Sequence, residues 1–214
     1  MKLSILICTM PVRYPLLARL LRELHTQIQE NAATDFVEVL TDDSMILTTG
    51  SKRNNLLARA KGEYSCFIDD DDSVYTYYIK EILAALESNP DAVGMNGIMT
   101  WDGRKEEKWF ISKELLYEAV KRFDGSNVYA RFHNHLTPKK TEIAKQIGFP
   151  DWKIGEDYQF ALDLHKSNLI KKEKIVGTNY HTWMASSWSI APQLPMYHYR
   201  FVSKKPPLIQ PKFR

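Results

Sequence analysis

Phe67-Ile68-Asp69-Asp70-Asp71-Asp72-Ser73-Val74 sets four consecutive carboxylates directly behind an apolar run. Like charges held this close must be offset by something, so the run asks which cation or chemistry completes it. Its left flank, Tyr64 to Ile68, reads as a strand, which places the aspartates at the strand's carboxyl end. Leu3 to Thr9 is a second continuous apolar run, as expected of a strand buried on both faces. Phe36 to Leu40 reads as a further short strand, ending in Thr41-Asp42-Asp43-Ser44.

Between these runs the period changes. Leu16, Leu17, Leu20, Leu21, Leu24 and Ile28 recur at helical spacing across Pro15 to Ile28. A second helix is expected through Ala60, with Ser51 as N-cap and Gly62 just beyond its end. Val74 to Leu86 is expected to be a third. Strands alternating with helices predict an α/β fold with a mainly parallel central sheet flanked by helices. Ligands of such sheets gather beyond the carboxyl ends of strands, where Thr9, Asp42 and the aspartate run all fall. After residue 90, strands are expected at Ala92–Met99 and Lys108–Ile111, with helices at Ser112–Arg122, Lys139–Ile147 and Glu156–Lys166. Residues 1–202 read as one domain, with a nucleotide-binding half over 1–90 and an acceptor-side half over 91–202. The stretch 203–214 is a basic, extended tail.

Composition narrows the classes. The 214 residues carry a net charge of +3, which permits a polyanionic partner without demanding one. Cys8 and Cys66 both sit in apolar runs, and no Cys/His zinc spacing occurs. No run approaches the ~20 apolar residues of a membrane span, and Met1 to Ile7 lacks a signal-peptide pattern. A reducing, cytoplasmic setting follows as the expectation.

Three chemistries compete with a plain solvated loop for the aspartates. An EF-hand counted from Asp69 would need Gly at Val74 and Glu at Lys80, so it fails. Asp70-Asp71-Asp72-Ser73-Val74 fits the Asp-x-Asp-x-Val/Thr nucleophile of a haloacid-dehalogenase-type phosphatase. That motif usually lies on the first strand of its fold, and here two strands precede it. The third reading is Mg²⁺ or Mn²⁺ held by Asp69 and Asp71, with a nucleotide diphosphate supplying further ligands.

Several ordered motifs then resemble the family 2 glycosyltransferases of GT-A fold. Leu3-Ser4-Ile5-Leu6-Ile7-Cys8-Thr9 is similar to the family's first strand, whose threonine lies near the nucleotide. Val37-Glu38-Val39-Leu40-Thr41-Asp42-Asp43-Ser44 is similar to its strand ending in Asp-Asp-x-Ser, with Asp42 on the base-contacting aspartate. Thr41 departs from the pattern and leaves Asp43 without a role. Gly50-Ser51-Lys52-Arg53-Asn54-Asn55, followed by Ala60-Lys61-Gly62-Glu63-Tyr64, resembles the Ala-Arg-Asn…Ala-x-Gly-Glu-Tyr run and puts Arg53 toward the nucleotide. The aspartate run corresponds to Asp-x-Asp-Asp, implying Asp71 on the metal and Asp69 or Asp70 toward metal or ribose. Ile147-Gly148-Phe149-Pro150 leading to Gly155-Glu156-Asp157 resembles the Gly-Phe…Glu-Asp segment, whose aspartate is the catalytic base.

The resemblance implies an inverting transfer of sugar from a nucleotide-diphosphate donor, a UDP-sugar first, with Asp157 as base and Mn²⁺ or Mg²⁺ as cofactor. Some GT-A enzymes add a late histidine to the metal; His181 and His198 are the positions, with His198 favoured. His133 and His135 are placed on the acceptor side, and Trp152 is the tryptophan nearest Asp157 for stacking on a sugar. The acceptor is left as a glycan or a hydroxymethylated DNA base. The alternatives are the aspartyl phosphatase and a non-catalytic nucleotide-sugar binding module.

Overall fold

The computed structural model describes residues 1–101, 104–115, 118–121, 127–177 and 196–201. The chain opens with β1 (Leu3–Cys8), a 3₁₀ turn over Pro11–Arg13, α1 (Tyr14–Glu30), β2 (Val37–Asp42), α2 (Thr49–Arg59) and β3 (Tyr64–Phe67). Then come β4 (Ser73–Val74), α3 (Tyr78–Leu86), β5 (Ala92–Trp101), β6 (Arg104–Ile111), β7 (Glu118–Lys121) and β8 (Asn127–Arg131). The last described elements are β9 (Lys139–Lys140), α4 (Thr141–Ile147), α5 (Glu156–Ser167), β10 (Glu173–Ile175) and β11 (Tyr197–Phe201).

The sheet runs β2-β1-β3-β9-β5-β6-β8-β7, with β10 and β11 both paired to β5. β1 lies parallel between β2 and β3, β9 pairs antiparallel with β3 and β5, and β6 pairs antiparallel with β5 and parallel with β8. The fold is thus α/β, with the parallel strands carrying the site end. Alternation along β1 explains its apolar run. Leu3, Ile5 and Ile7 pack with Leu17, Leu20 and Leu24 of α1 and Ile79 and Ile82 of α3. Leu6 faces the opposite layer, with Leu56 and Leu57 of α2, Ile143 of α4 and Phe160 of α5. The order β2-β1-β3 means that the chain leaves β1 through α1 toward β2 and leaves β3 through α3 toward β5, in opposite directions across the sheet. The crevice therefore opens at the carboxyl ends of β1 and β3.

Three local expectations change. Thr48, rather than Ser51, caps α2: its hydroxyl accepts from the Ser51 N–H at 3.1 Å. The helix starts earlier because its first turn is laced to a later loop. Gly50 N–H donates to Trp152 O at 3.0 Å, and a Cβ on Gly50 would lie 1.8 Å from Pro150 O. Only glycine permits that approach. Val74 belongs to a short strand paired with Tyr197, so α3 begins at Tyr78. The helix expected over Ser112–Arg122 is absent from its described part. Ser112 Oγ is held by Glu173 at 2.8 Å, and Glu118–Lys121 pairs antiparallel with β8. Helix propensity there loses to a strand edge that needs covering. The tail 203–214, His181, Trp183 and Trp188 lie outside the described residues.

Under the sheet, the Lys139 ammonium is buried and donates to the carbonyls of Asn134, at 2.7 Å, and Thr137. Burial pushes it down from 10.5 to about 7. Between those values the unfolded chain holds a proton that the folded chain does not, so stability is expected to climb with pH across that window. Thermal denaturation at stepped pH checks this, and Lys139→Met should flatten the climb.

Candidate functional site

The four aspartates occupy four different environments. Asp70 is buried, with Thr9 Oγ1 donating to Oδ2 at 2.6 Å and the Arg13 guanidinium forked across both oxygens. Asp71 keeps partial solvent access and meets Arg13 Nη2 at 2.8 Å. Asp72 is fully enclosed and accepts the Tyr197 hydroxyl at 2.7 Å. Asp69 faces Arg53 Nη2 at 3.2 Å and His135 Nε2 at 3.7 Å. Beneath them, Arg19 Nη2 donates to the carbonyls of Asp71, at 2.8 Å, and Asp72, at 2.5 Å. Arginines, a threonine and a tyrosine therefore offset the repulsion within the run. Tyr197→Phe is expected to cost about 1–3 kcal/mol in urea denaturation, because the buried carboxylate loses that donor.

Arg53 is the joint of the site. It projects from α2 into the interior, where only 4% of it is exposed. Its Nε donates to Glu156 Oε1 at 3.1 Å and its Nη2 reaches Asp69, linking the end of β3 to the start of α5. Phe67 and Phe149 lie against the guanidinium, 4.8 and 5.6 Å from its central carbon to the ring centroids. Burial alone would lower the Arg53 pKa, but Asp69, Cys8 and Glu156 together raise it. Burial works upward on Asp69, yet His135 and Arg53 outweigh it and hold its carboxyl below the usual range. The same segment is fastened by Asn54, whose amide exchanges hydrogen bonds with Phe149 N–H and O at 2.9 and 2.8 Å.

On the β1 side, Lys52 Nζ donates to Thr9 O at 2.8 Å and Thr9 N–H to Asp42 O at 2.9 Å. Asp42 Oδ1 accepts from Ser44 N–H at 3.0 Å, which shapes the loop after β2. Asp43 gains a role as acceptor for the Tyr14 hydroxyl. Burial disfavours both thiolates, pushing Cys8 up to about 12 and Cys66 to about 11.

Asp157 sits in the first turn of α5, where the helix dipole favours an ionised carboxylate. Gly155, at φ +84°, turns the chain into that helix. The Asp157 side chain is 35% exposed, and its Oδ2 lies 3.7 Å from His135 Nδ1. Trp152, Ile154 and Tyr158 stand exposed on the surrounding lip.

The structure brings Thr9, Arg53, Asp69, Asp70 and Asp71 together at the strand ends and links Asp157 to them through His135, whereas sequence reasoning singles them out one motif at a time. That reasoning overlooked Arg13, whose only sequence signal is a basic residue just after β1. His133 does not line an acceptor side. It is buried, with Nε2 2.6 Å from Glu173 Oε1 and Nδ1 2.9 Å from Thr137 Oγ1. The backbone of His198 pairs with Ser73 beside the aspartates, while its side chain lies outside the described residues. Among the described residues no three His, Cys, Asp or Glu side chains converge as a metal-ligand set. Asp69 and Asp71 are the two members of the run with solvent access. That suits an ion taking one or two carboxylates and completing its shell with phosphate and water.

Comparison with known proteins places this geometry. Residues 47–148, just under half of the chain, match the family model described as glycosyl transferase family 2. That stretch holds Arg53, the aspartates and His135, and stops short of Asp157. No curated protein matches the chain. Among solved structures, Staphylococcus aureus TarS 1–349 with UDP-GlcNAc aligns at TM-score 0.58 and 17% identity, covering 94% of this chain and 58% of that one. TarS 1–349 with UDP gives 0.58 and 16%, covering 94% and 60%. TarS beyond that fragment gives 0.55 and 16%, covering 94% and 37%. The chain therefore spans less than two thirds of the TarS structures it matches. Residues 47–148 thus resemble glycosyl transferase family 2 in sequence, and the chain shares the GT-A-type fold of the TarS structures.

Proposed function

We propose that the chain transfers a sugar from a nucleotide-diphosphate donor, a UDP-sugar first, to an acceptor hydroxyl with inversion at the anomeric carbon. The observation that carries this reading is the meeting of the run's Asp69 with Asp157 across one imidazole, with Arg53 joining Asp69 to Glu156 behind it. A donor-side carboxylate and a solvent-accessible base thus share one crevice at the strand ends.

Thr9, Asp42, Arg53 and Asp69 form the nucleotide side. Asp70 acts there by holding Arg13, since both its oxygens are engaged. The same engagement argues against Asp70 as a phosphatase nucleophile. Asp71 and Asp69 are the carboxylates for Mn²⁺ or Mg²⁺, with His198 as the further position. A bound divalent ion would neutralise the departing diphosphate as a Lewis acid. Asp157 takes the acceptor hydroxyl's proton as the new C1–O bond forms and the bond to the diphosphate breaks. Trp152 offers a face for an acceptor sugar.

Among the described residues no helix is long and apolar enough to cross a membrane. The free thiols Cys8 and Cys66 favour a reducing, cytoplasmic setting.

The test is a thermal-shift panel of nucleotide diphosphates with and without Mn²⁺, followed by mass spectrometry of glycan and hydroxymethylated-DNA acceptors offered with the donor. Stabilisation by UDP that deepens with Mn²⁺, together with a sugar-sized mass gain on one acceptor, is expected. Binding without transfer to any acceptor or to water would leave a binding module. Hydrolysis of a phosphomonoester would return the phosphatase reading.

A further inference from the structure

His135 is the residue of the crevice that the mechanism above leaves without a task. It lies in the connection between β8 and β9, and that connection is unusually well fixed. Its own carbonyl accepts Phe67 N–H at 2.9 Å, which stitches it to the last residue of β3. Asn134 Oδ1 accepts Leu136 N–H at 3.1 Å, and Asn134 O accepts both Thr137 Oγ1 at 3.2 Å and the buried Lys139 ammonium at 2.7 Å. His133, one residue further back, is pinned by Glu173 and Thr137. Next to it, Phe132 packs edge-on against the His165 ring of α5.

A backbone held this firmly fixes the direction of the imidazole. The ring is only 4% exposed, so solvent does not reach it freely. Neither ring nitrogen has a partner at hydrogen-bond distance; each instead faces a carboxylate at 3.7 Å. Nε2 points to Asp69 Oδ2 and Nδ1 to Asp157 Oδ2. A buried imidazole with both nitrogens near-bonded leaves little reason for its polarity other than those two groups. Asp157 is otherwise poorly restrained: it is partly exposed, in the first turn of a helix that begins at a glycine.

We propose that His135 is the positioning residue of this site, aiming the Asp157 carboxylate and setting its distance from the donor-side Asp69. This rests on the reading of Asp157 as the base. A modest closing of the crevice around a donor would bring a 3.7 Å approach to hydrogen-bond length, as such contacts commonly tighten in a productive complex. Misplacing a base by about 1 Å can cost two orders of magnitude in rate. The imidazole itself takes no proton from substrate in this scheme.

Two readouts test it. The first needs no substrate: carboxyl ¹³C NMR of aspartate-labelled protein, with the Asp157 resonance assigned by its loss in Asp157→Asn. In His135→Ala that resonance is expected to shift and broaden. In His135→Gln, whose amide can still donate toward a carboxylate, it should return toward its position in the unaltered protein. The second uses Mn²⁺ and the donor found active in the panel above, starting with UDP-N-acetylglucosamine, and follows released UDP. His135→Ala should lower kcat at least tenfold with KM for donor and Kd for UDP within about threefold, and His135→Gln should recover part of kcat. An unmoved Asp157 resonance in His135→Ala overturns the proposal. So does a loss of UDP affinity that accounts for the whole kinetic effect, or a folded Gln variant no better than Ala. Normal transfer by Asp157→Asn would instead sink the reading of the base, a separable outcome.

Discussion

Asp157→Asn is expected to lower sugar transfer about a thousandfold while leaving nucleotide affinity nearly unchanged. General-base catalysis contributes about 10²–10⁴ in rate, and the amide keeps the shape of the carboxylate while removing its basicity. The side chain is partly exposed and its sole described ion-pair contact is His135, so the fold should tolerate the change. The measurement is steady-state release of UDP with acceptor present, set beside calorimetric titration with UDP. A variant that transferred at the normal rate would remove Asp157 from the chemistry. A variant that lost UDP binding as well would make it a structural group.

Arg53→Ala should produce the largest loss of stability. The guanidinium is buried between Asp69 and Glu156 and carries Phe67 and Phe149 on its sides. Removing it leaves two carboxylates without their cation, and Glu156 is itself almost wholly enclosed. Breaking a buried pair in this way costs about 3–5 kcal/mol. For a chain of this size each kcal/mol is worth roughly 2–4 °C in Tm, so a fall of about 10 °C is expected. Arg53→Lys should fall in between, since lysine keeps the charge but loses the fork and the flat faces. Thermal denaturation near neutral pH decides it: a change of only a degree or two would mean that water, rather than Arg53, satisfies both carboxylates.

The two variants probe different links. On the proposed reading Asp157 should matter to the reaction and little to folding, whereas Arg53 should matter to both because it ties the end of β3 to the start of α5. Loss of donor binding in a folded Arg53→Lys protein would show the second role apart from the first.

Much of the first half of the chain is legible in its residues because the signals there are local. The short continuous apolar run in Leu3–Cys8 and the 3.6-residue spacing in α1 report a strand and a helix directly. Short loops then leave few ways to pack them. The stretch 112–122 misleads for the opposite reason. Its composition suits a helix, but the free edge of β8, which is placed in the sheet by its pairing with β6, takes residues 118–121 as a strand. Val74 is similar, drawn into a strand by Tyr197, more than a hundred residues away.

The sequence alone determined the α/β class, the gathering of Thr9, Asp42 and Asp69–Asp72 at strand ends, and the acidic start of α5. These follow from periodicity and from residues adjacent in the chain. Only the tertiary structure decided how the aspartates divide their work. Asp70 and Asp72 are enclosed by Arg13, Thr9 and Tyr197, while Asp69 and Asp71 face the crevice. It also decided that His133 is a core histidine while His135, two residues on, spans two carboxylates. Neighbours in sequence share a composition but not a direction, and a side chain's direction is set by packing against residues remote along the chain.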